Sequence, residues 1–152
     1  MILRIEDLLK LNLKNEVIVF QTDTVYGIGC LISSESGVNK IYDIKKRENR
    51  APLAVLCANI DQVKDVVDSF HVGEEFALAY WPGALTLIFP KKDIIGDYIT
   101  SGLKTVGVRI PNDKIALSIL EKFGPMAVTS LNISSEPPIL NFNDTLKFET
   151  DV

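Results

Sequence analysis

Val17-Ile18-Val19-Phe20-Gln21-Thr22-Asp23-Thr24-Val25-Tyr26-Gly27-Ile28-Gly29 joins a continuous apolar run to a loop of hydroxyls and glycines. Four apolar residues, three of them β-branched, are too few for a helix and read as a buried strand. Threonines and glycines directly after such a strand occupy the place where α/β sheets hold ligands. Taken alone, the segment is open between a ligand loop and an ordinary strand-to-turn connection.

The flanking sequence supplies the rest of the architecture. Residues 4–14 can form a short helix with Ile5, Leu8 and Leu9 on one side. Ser34 is placed to cap a helix with Glu35 in its first turn, and Val38, Ile41, Tyr42 and Lys45 follow helical spacing. Residues 53–57 read as a second strand. Helices are expected over 61–70 and 74–81, the latter stopped by Pro82, and strands over 85–89 and 106–110. Asn112 is expected to cap a helix through Phe123, ended by Gly124-Pro125, before a last strand at 126–130. Strands interleave with helices and several lack polar alternation, so both faces of the sheet should be covered. The class is α/β (α+β), a mixed sheet with helices around it. The 152 residues are expected to form a single domain over 1–152, with a polar, unpatterned loop after about residue 138.

An apolar fraction of 47% and a charged fraction of 24% are those of a soluble globular chain. No apolar run approaches the roughly 20 residues of a membrane helix. Residues 1–14 mix acids, bases and leucines without a cleavage site, so no membrane association and a cytoplasmic location are expected. Cys30 and Cys57 lie in apolar settings without a CxxC spacing; buried free thiols are the favoured reading and a disulfide the alternative.

Charge narrows the ligand class. Lys40, Lys45, Lys46, Arg47 and Arg50 fall within eleven positions that also hold Asp43 and Glu48, giving +3 in a chain of net charge -4. An acidic protein that gathers positive charge in one stretch suits a compact anion better than a long nucleic acid, and a small phosphorylated ligand fits best. The lone histidine, His71, stands apart from other candidate ligands, which argues against a His-based metal site or a Ser-His-Asp triad. There is no GxxxxGK[ST] loop, and Gly27-Ile28-Gly29 lacks the third glycine of a dinucleotide fingerprint.

Four segments carry the remaining chemistry. Thr22-Asp23-Thr24-Val25-Tyr26-Gly27 follows the first strand. Lys45-Lys46-Arg47 offers a point charge and a planar fork two residues apart, or simply a solvated helix end. Trp81-Pro82-Gly83 reads as core and turn, and Arg109 sits within the apolar strand of Val108-Arg109-Ile110-Pro111. There it is open between a buried salt bridge and an anionic ligand. Ser130 and Asn132, two apart, can face one side of an extended chain.

In this order, these segments resemble the YrdC-like family of threonylcarbamoyl-AMP synthases over residues 17–138. The resemblance implies a twisted mixed sheet with surrounding helices and a positively charged central cavity. It implies a nucleotidyltransferase that joins L-threonine, bicarbonate and ATP, with Mg2+, into threonylcarbamoyl-adenylate and pyrophosphate. A downstream threonylcarbamoyl transferase complex then modifies tRNA. It places Thr24, Arg109 and Ser130 at threonine, Lys45 and Arg47 at the ATP phosphates as the catalytic pair, and Thr105 and Asn132 at the nucleotide. The alternatives are a structured-RNA or tRNA-binding module of the same fold, and a carbamoylation enzyme with another substrate. Gln21, Glu48, Ala51, Leu56 and Ser135 depart from the family pattern, which favours proline, proline, asparagine, histidine (in archaeal-type members) and glycine there. Family members also continue past the segment matching Pro138, and the longer ones add a serine and an arginine to the site. The resemblance therefore leaves open a minimal form or an ATP site completed from elsewhere.

Overall fold

A computed structural model describes residues 1–47 and 49–152. The chain folds as α1 (Ile5–Leu8), β1 (Ile18–Phe20), β2 (Gly27–Leu31), α2 (Glu35–Ile44), β3 (Ala54–Leu56), α3 (Ile60–Val66), a 3-10 turn (Phe70–Val72), α4 (Glu74–Tyr80), β4 (Leu87–Pro90), α5 (Asp97–Thr100), β5 (Thr105–Arg109), α6 (Lys114–Phe123), β6 (Met126–Ser130) and α7 (Phe142–Thr145). The strands form one mixed sheet in the order β1-β2-β6-β3-β5-β4, with β3 and β5 parallel and the other neighbours antiparallel. None of the described helices is long and apolar enough to cross a membrane.

The two faces are covered unequally. Ile28, Val55 and Val108 point to one face, where they meet Val38, Ile41 and Tyr42 of α2, Val63 and Val66 of α3, and Ile99 of α5. The opposite face carries Phe20, Leu56, Met126 and Val128, packed against Ala116, Ile119 and Leu120 of α6. That second cluster covers only part of its face. Toward β4 the sheet stays open, and Ile88 is 72% exposed there.

Most expected elements form, with differences that have physical causes. Ser34 caps α2 through its hydroxyl, which accepts from Gly37 N at 3.0 Å. Strand β6 matches its expected bounds. Gly27-Ile28-Gly29, expected within a loop, is instead the start of β2. Val128 of β6 lies against both glycines, and a Cβ on Gly29 would stand 2.8 Å from its Cγ2, so this strand needs missing side chains. The cap of α6 is Asp113 rather than Asn112, its carboxylate accepting from Ala116 N at 2.9 Å. Helices expected over 4–14 and 61–70 shorten to α1 and α3.

The stretch after Pro138, expected as a loop, folds back onto the molecule. Tyr26 N donates to Ile139 O at 3.0 Å, and Ile139 N donates to Leu131 O at 3.2 Å. Asn141 caps α7 by accepting from Asp144 N, and Ile139 and Phe148 are buried. Apolar side chains spaced too irregularly for a helix or strand pattern hold this segment down.

Candidate functional site

Sheet register brings several expected site residues to one face. Val55 pairs with Val108 on one side and with Ala127 on the other, which aligns β5, β3 and β6. From that row, Arg109 is one residue along β5, Thr105 three residues back, and Ser130 three residues along β6. All three offsets are odd, so all three side chains point to the incompletely covered face. Because β6 runs opposite to β5, Ser130 and Thr105 stand at one end of the strands and Arg109 at the other. Four residues along the strand and two strand spacings across separate Ser130 from Arg109 by roughly 16 Å of backbone.

At the Arg109 end, burial demands a counter-charge, and the loop after β1 provides it. Arg109 NH1 donates to Asp23 Oδ1 at 2.7 Å and to Gly83 O at 3.2 Å, while NH2 donates to Thr24 Oγ1 at 3.2 Å. The two charged side chains are only 9% and 15% exposed. Gly83 is a structural necessity in this corner, since a Cβ would lie 2.5 Å from Tyr80 O. Trp81 is core, as expected, with its indole N–H donating to Leu85 O. The loop is ordered internally: Thr22 Oγ1 donates to Val25 O at 2.7 Å and accepts from Thr24 N at 3.2 Å. With the Thr22 proton spent on Val25, the 3.1 Å contact between the two hydroxyls has Thr24 as donor. Leu56, the position where some relatives of this type carry histidine, pairs with Arg109 in register and presents an apolar wall beside it.

At the Ser130 end lies a cavity of about 560 Å³ whose lining includes Lys45, Lys46, Arg47, Ala51, Ser130 and Asn132. Helix α2 ends at Ile44 with Lys45 as its C-cap, after which Lys46 turns left-handed at φ 51°. That turn lets Arg47 N reach back to Tyr42 O at 3.1 Å, closing the helix end. The Arg47 guanidinium sits 5.9 Å from the centre of the Tyr42 ring and that of Arg50 4.9 Å. Tyr42 OH donates to Ala51 O, anchoring the chain on the far side of the turn.

Lys45 is not a solvated helix-end residue: it is 3% exposed. Its ammonium donates to Ser130 O at 2.6 Å, Asn132 Oδ1 at 2.6 Å and Asn132 O at 3.3 Å. An ammonium has three protons, and here each has a protein acceptor. Asn132 is likewise occupied. Its Oδ1 also accepts from Ser130 Oγ at 3.0 Å, and its Nδ2 donates to Ile133 O and Glu136 O. Lys45, Ser130 and Asn132 therefore brace one another, while Lys46 and Arg47 supply further cations to the cavity wall. Burial, then the charge of Arg47, pulls the Lys45 pKa down from 10.5 to about 8.

Of the expected site residues, Thr24 and Arg109 meet directly, and Lys45, Arg47, Ser130 and Asn132 share the cavity. Thr105 is exposed, level with Ser130 on the same face but two strands away, and is not part of the cavity lining. The five clustered cations are divided: Lys40 is exposed on α2, and Arg50 donates to Asn39. Glu48, expected to set an acid near the phosphate site, lies outside the described residues. Ser135 adopts φ 74°, which explains why glycine suits that position. Sequence reasoning missed Asp23 and Tyr42 as site residues. The signal for Asp23 was available: a buried arginine requires an acid, and one stands in the adjacent ligand loop. Cys30 and Cys57 are buried and free, as expected, with burial pushing both thiols up to about 12.

Comparison with known proteins bears on the fold and the family. The family model Sua5_yciO_yrdC, described as "Telomere recombination", matches residues 10–150. The chain is 39% identical over 127 residues to the threonylcarbamoyl-AMP synthase of Bacillus subtilis, covering 82% of this chain and 37% of that relative. It is 30% identical over 131 residues to the threonylcarbamoyl-AMP synthase of Klebsiella pneumoniae, covering 83% of this chain and 69% of that relative. Its fold superposes on the crystal structure of P. abyssi Sua5 complexed with L-threonine with a TM-score of 0.83 and 34% identity, covering 89% of this chain and 40% of that one. The chain thus spans little more than a third of the first of these relatives. By its sheet, its Lys45-x-Arg47 and Ser130-x-Asn132 pairs and these matches, the chain belongs to the Sua5/YciO/YrdC family.

Proposed function

We propose that the chain carries the threonylcarbamoyl-AMP synthase reaction, forming threonylcarbamoyl-adenylate and pyrophosphate from L-threonine, bicarbonate and ATP. The observation that carries this reading is the placement of cationic side chains at two separate ends of the sheet strands. A guanidinium stands at the Arg109 end, and a cationic cavity lined by Lys46 and Arg47 stands at the Ser130 end. In the reaction, the threonine amine attacks the bicarbonate carbon, the C–OH bond breaks, and that hydroxide leaves with an amine proton as water to give the carbamate. A carbamate oxygen then attacks the α-phosphorus, the bond to the β-phosphate breaks and pyrophosphate leaves. Attacker and target are both anions, so fixed cations and alignment of the reactants provide the catalysis. Arg47 and Lys46 hold the phosphates. Lys45 adds its charge to the cavity while keeping the Ser130–Asn132 segment in place, and Arg109 takes the threonine carboxylate.

Among the described residues, no group of three or more His, Cys, Asp or Glu side chains is placed to hold a metal ion. The donor set fits Mg2+ arriving as part of the ATP substrate, with phosphate and water oxygens as its ligands. A cytoplasmic setting and a downstream transferase complex acting on tRNA complete the proposal. Purified protein should release pyrophosphate from ATP, Mg2+ and bicarbonate only when L-threonine is added. Threonine-independent release, or none from folded protein, counts against the proposal.

A further inference from the structure

The pairing of Arg109 leaves a specific set of open valences. A guanidinium has five N–H donors, and the contacts to Asp23, Gly83 and Thr24 use three. Among the described residues no further acceptor meets the guanidinium, so two remain, enough for a carboxylate. Among the described residues, Asp23 accepts through Oδ1 alone, so its Oδ2 stands open in a side chain only 15% exposed. The Thr24 hydroxyl donates to Thr22, so toward a ligand it can only accept. Among the described residues, the side chains of this loop therefore leave acceptors, Asp23 Oδ2 and the Thr24 hydroxyl, next to the guanidinium. A bare carboxylate would satisfy Arg109 and meet repulsion from Asp23. A ligand that carries a carboxylate and an ammonium on one carbon satisfies both.

We propose that Asp23 binds the α-ammonium of the amino-acid substrate, so that Asp23 and Arg109 together select a free, zwitterionic α-amino acid. The proposal rests on the reading of Arg109 as the carboxylate holder. It makes Asp23 a determinant of specificity as well as the partner that fixes the guanidinium. The net neutral pair favours a neutral dipolar ligand over simple carboxylates, and an amide-blocked amine loses the charge that Asp23 reads.

The test compares L-threonine, 3-hydroxybutanoate (the same skeleton without the amine) and N-acetyl-L-threonine by calorimetry, in the presence of ATP and Mg2+. Wild-type protein should bind threonine on the order of 10- to 100-fold more tightly than 3-hydroxybutanoate, the range expected for one charge-assisted hydrogen bond. N-acetyl-L-threonine should bind no better than 3-hydroxybutanoate. Asp23→Asn should weaken threonine and, by removing the repulsion, strengthen 3-hydroxybutanoate until the two bind about equally, and Asp23→Glu should restore part of the discrimination. If Asp23→Asn weakens both ligands equally, Asp23 only positions Arg109 and the proposal is overturned. If Asp23→Asn does not fold, the wild-type ratio and the Asp23→Glu variant carry the test, and equal wild-type binding of threonine and 3-hydroxybutanoate overturns it. Wild-type protein that binds neither ligand overturns the parent reading of Arg109 itself, a result distinct from equal binding.

Discussion

Replacing Lys45 by methionine separates the energetic cost of a buried ammonium from its bracing role. The residue is 3% exposed, and its pKa falls from 10.5 to about 8 through burial and then the charge of Arg47. In the window from about 8 to 10.5 the unfolded chain keeps a proton that the native chain has released. The unfolded state then binds more protons, so native stability rises with pH through that window and is least supported below it. Each full unit is worth about 1.4 kcal/mol, so the whole shift corresponds to about 3 kcal/mol, and the interval from pH 7 to pH 9 captures about 1.4 kcal/mol. Cys30 and Cys57 act with the opposite sign. Their pKa values rise from 9.0 to about 12, so stability falls above about pH 9 as unfolded thiols ionise. Both cysteines remain in the variant, so the difference between the two proteins isolates Lys45. Urea unfolding followed by Trp81 fluorescence at pH 7, 8 and 9 should show wild type gaining on Lys45→Met by about 1.4 kcal/mol. At pH 7 the variant should be less stable by about 1–3 kcal/mol, because the Ser130 and Asn132 carbonyls lose a charged donor. Parallel pH profiles for the two proteins would refute the reasoning.

Three other outcomes are expected. Lys46→Gly should stabilise the fold by roughly 0.5–1 kcal/mol in the same urea assay, because Lys46 holds a left-handed backbone at φ 51°. Arg47→Ala should weaken ATP binding by calorimetry at least roughly 10-fold, with threonine affinity changed far less, since its charge lies at the cavity end of the sheet. Cys30 and Cys57 should resist a thiol reagent at pH 8 in the native state and both react in denaturant; rapid native labelling would contradict their burial.

The legible parts of the fold were those written in local chemistry. The β-branched run before Gln21, the Ser34 cap and the apolar run ending at Ser130 each declare an element without help from distant residues. Gly27 and Gly29 do not, because their strand exists to accommodate Val128, which lies about a hundred residues away in the chain. The same holds for Ile139 and Phe148, whose burial follows from the shape of the surface they meet. Within the site, the residue types were legible, but their partners were hidden. Lys45 looks like any helix-end cation until Asn132 is brought beneath it, and Arg109 shows its need for an acid without showing which one answers.

The antiparallel insertion of β6 between β2 and β3 has a consequence for divergence within such a fold. It sets Arg109 and Ser130 far enough apart that substitutions at one should add to, rather than modify, substitutions at the other. On the proposed function, affinity for the amino-acid partner and affinity for the triphosphate can then drift separately, while the hydrogen-bonded strands between them hold the gap. A chemist seeking one compound for both ends would need a spacer cut to that gap, since the strands between them are tied by continuous ladder pairing.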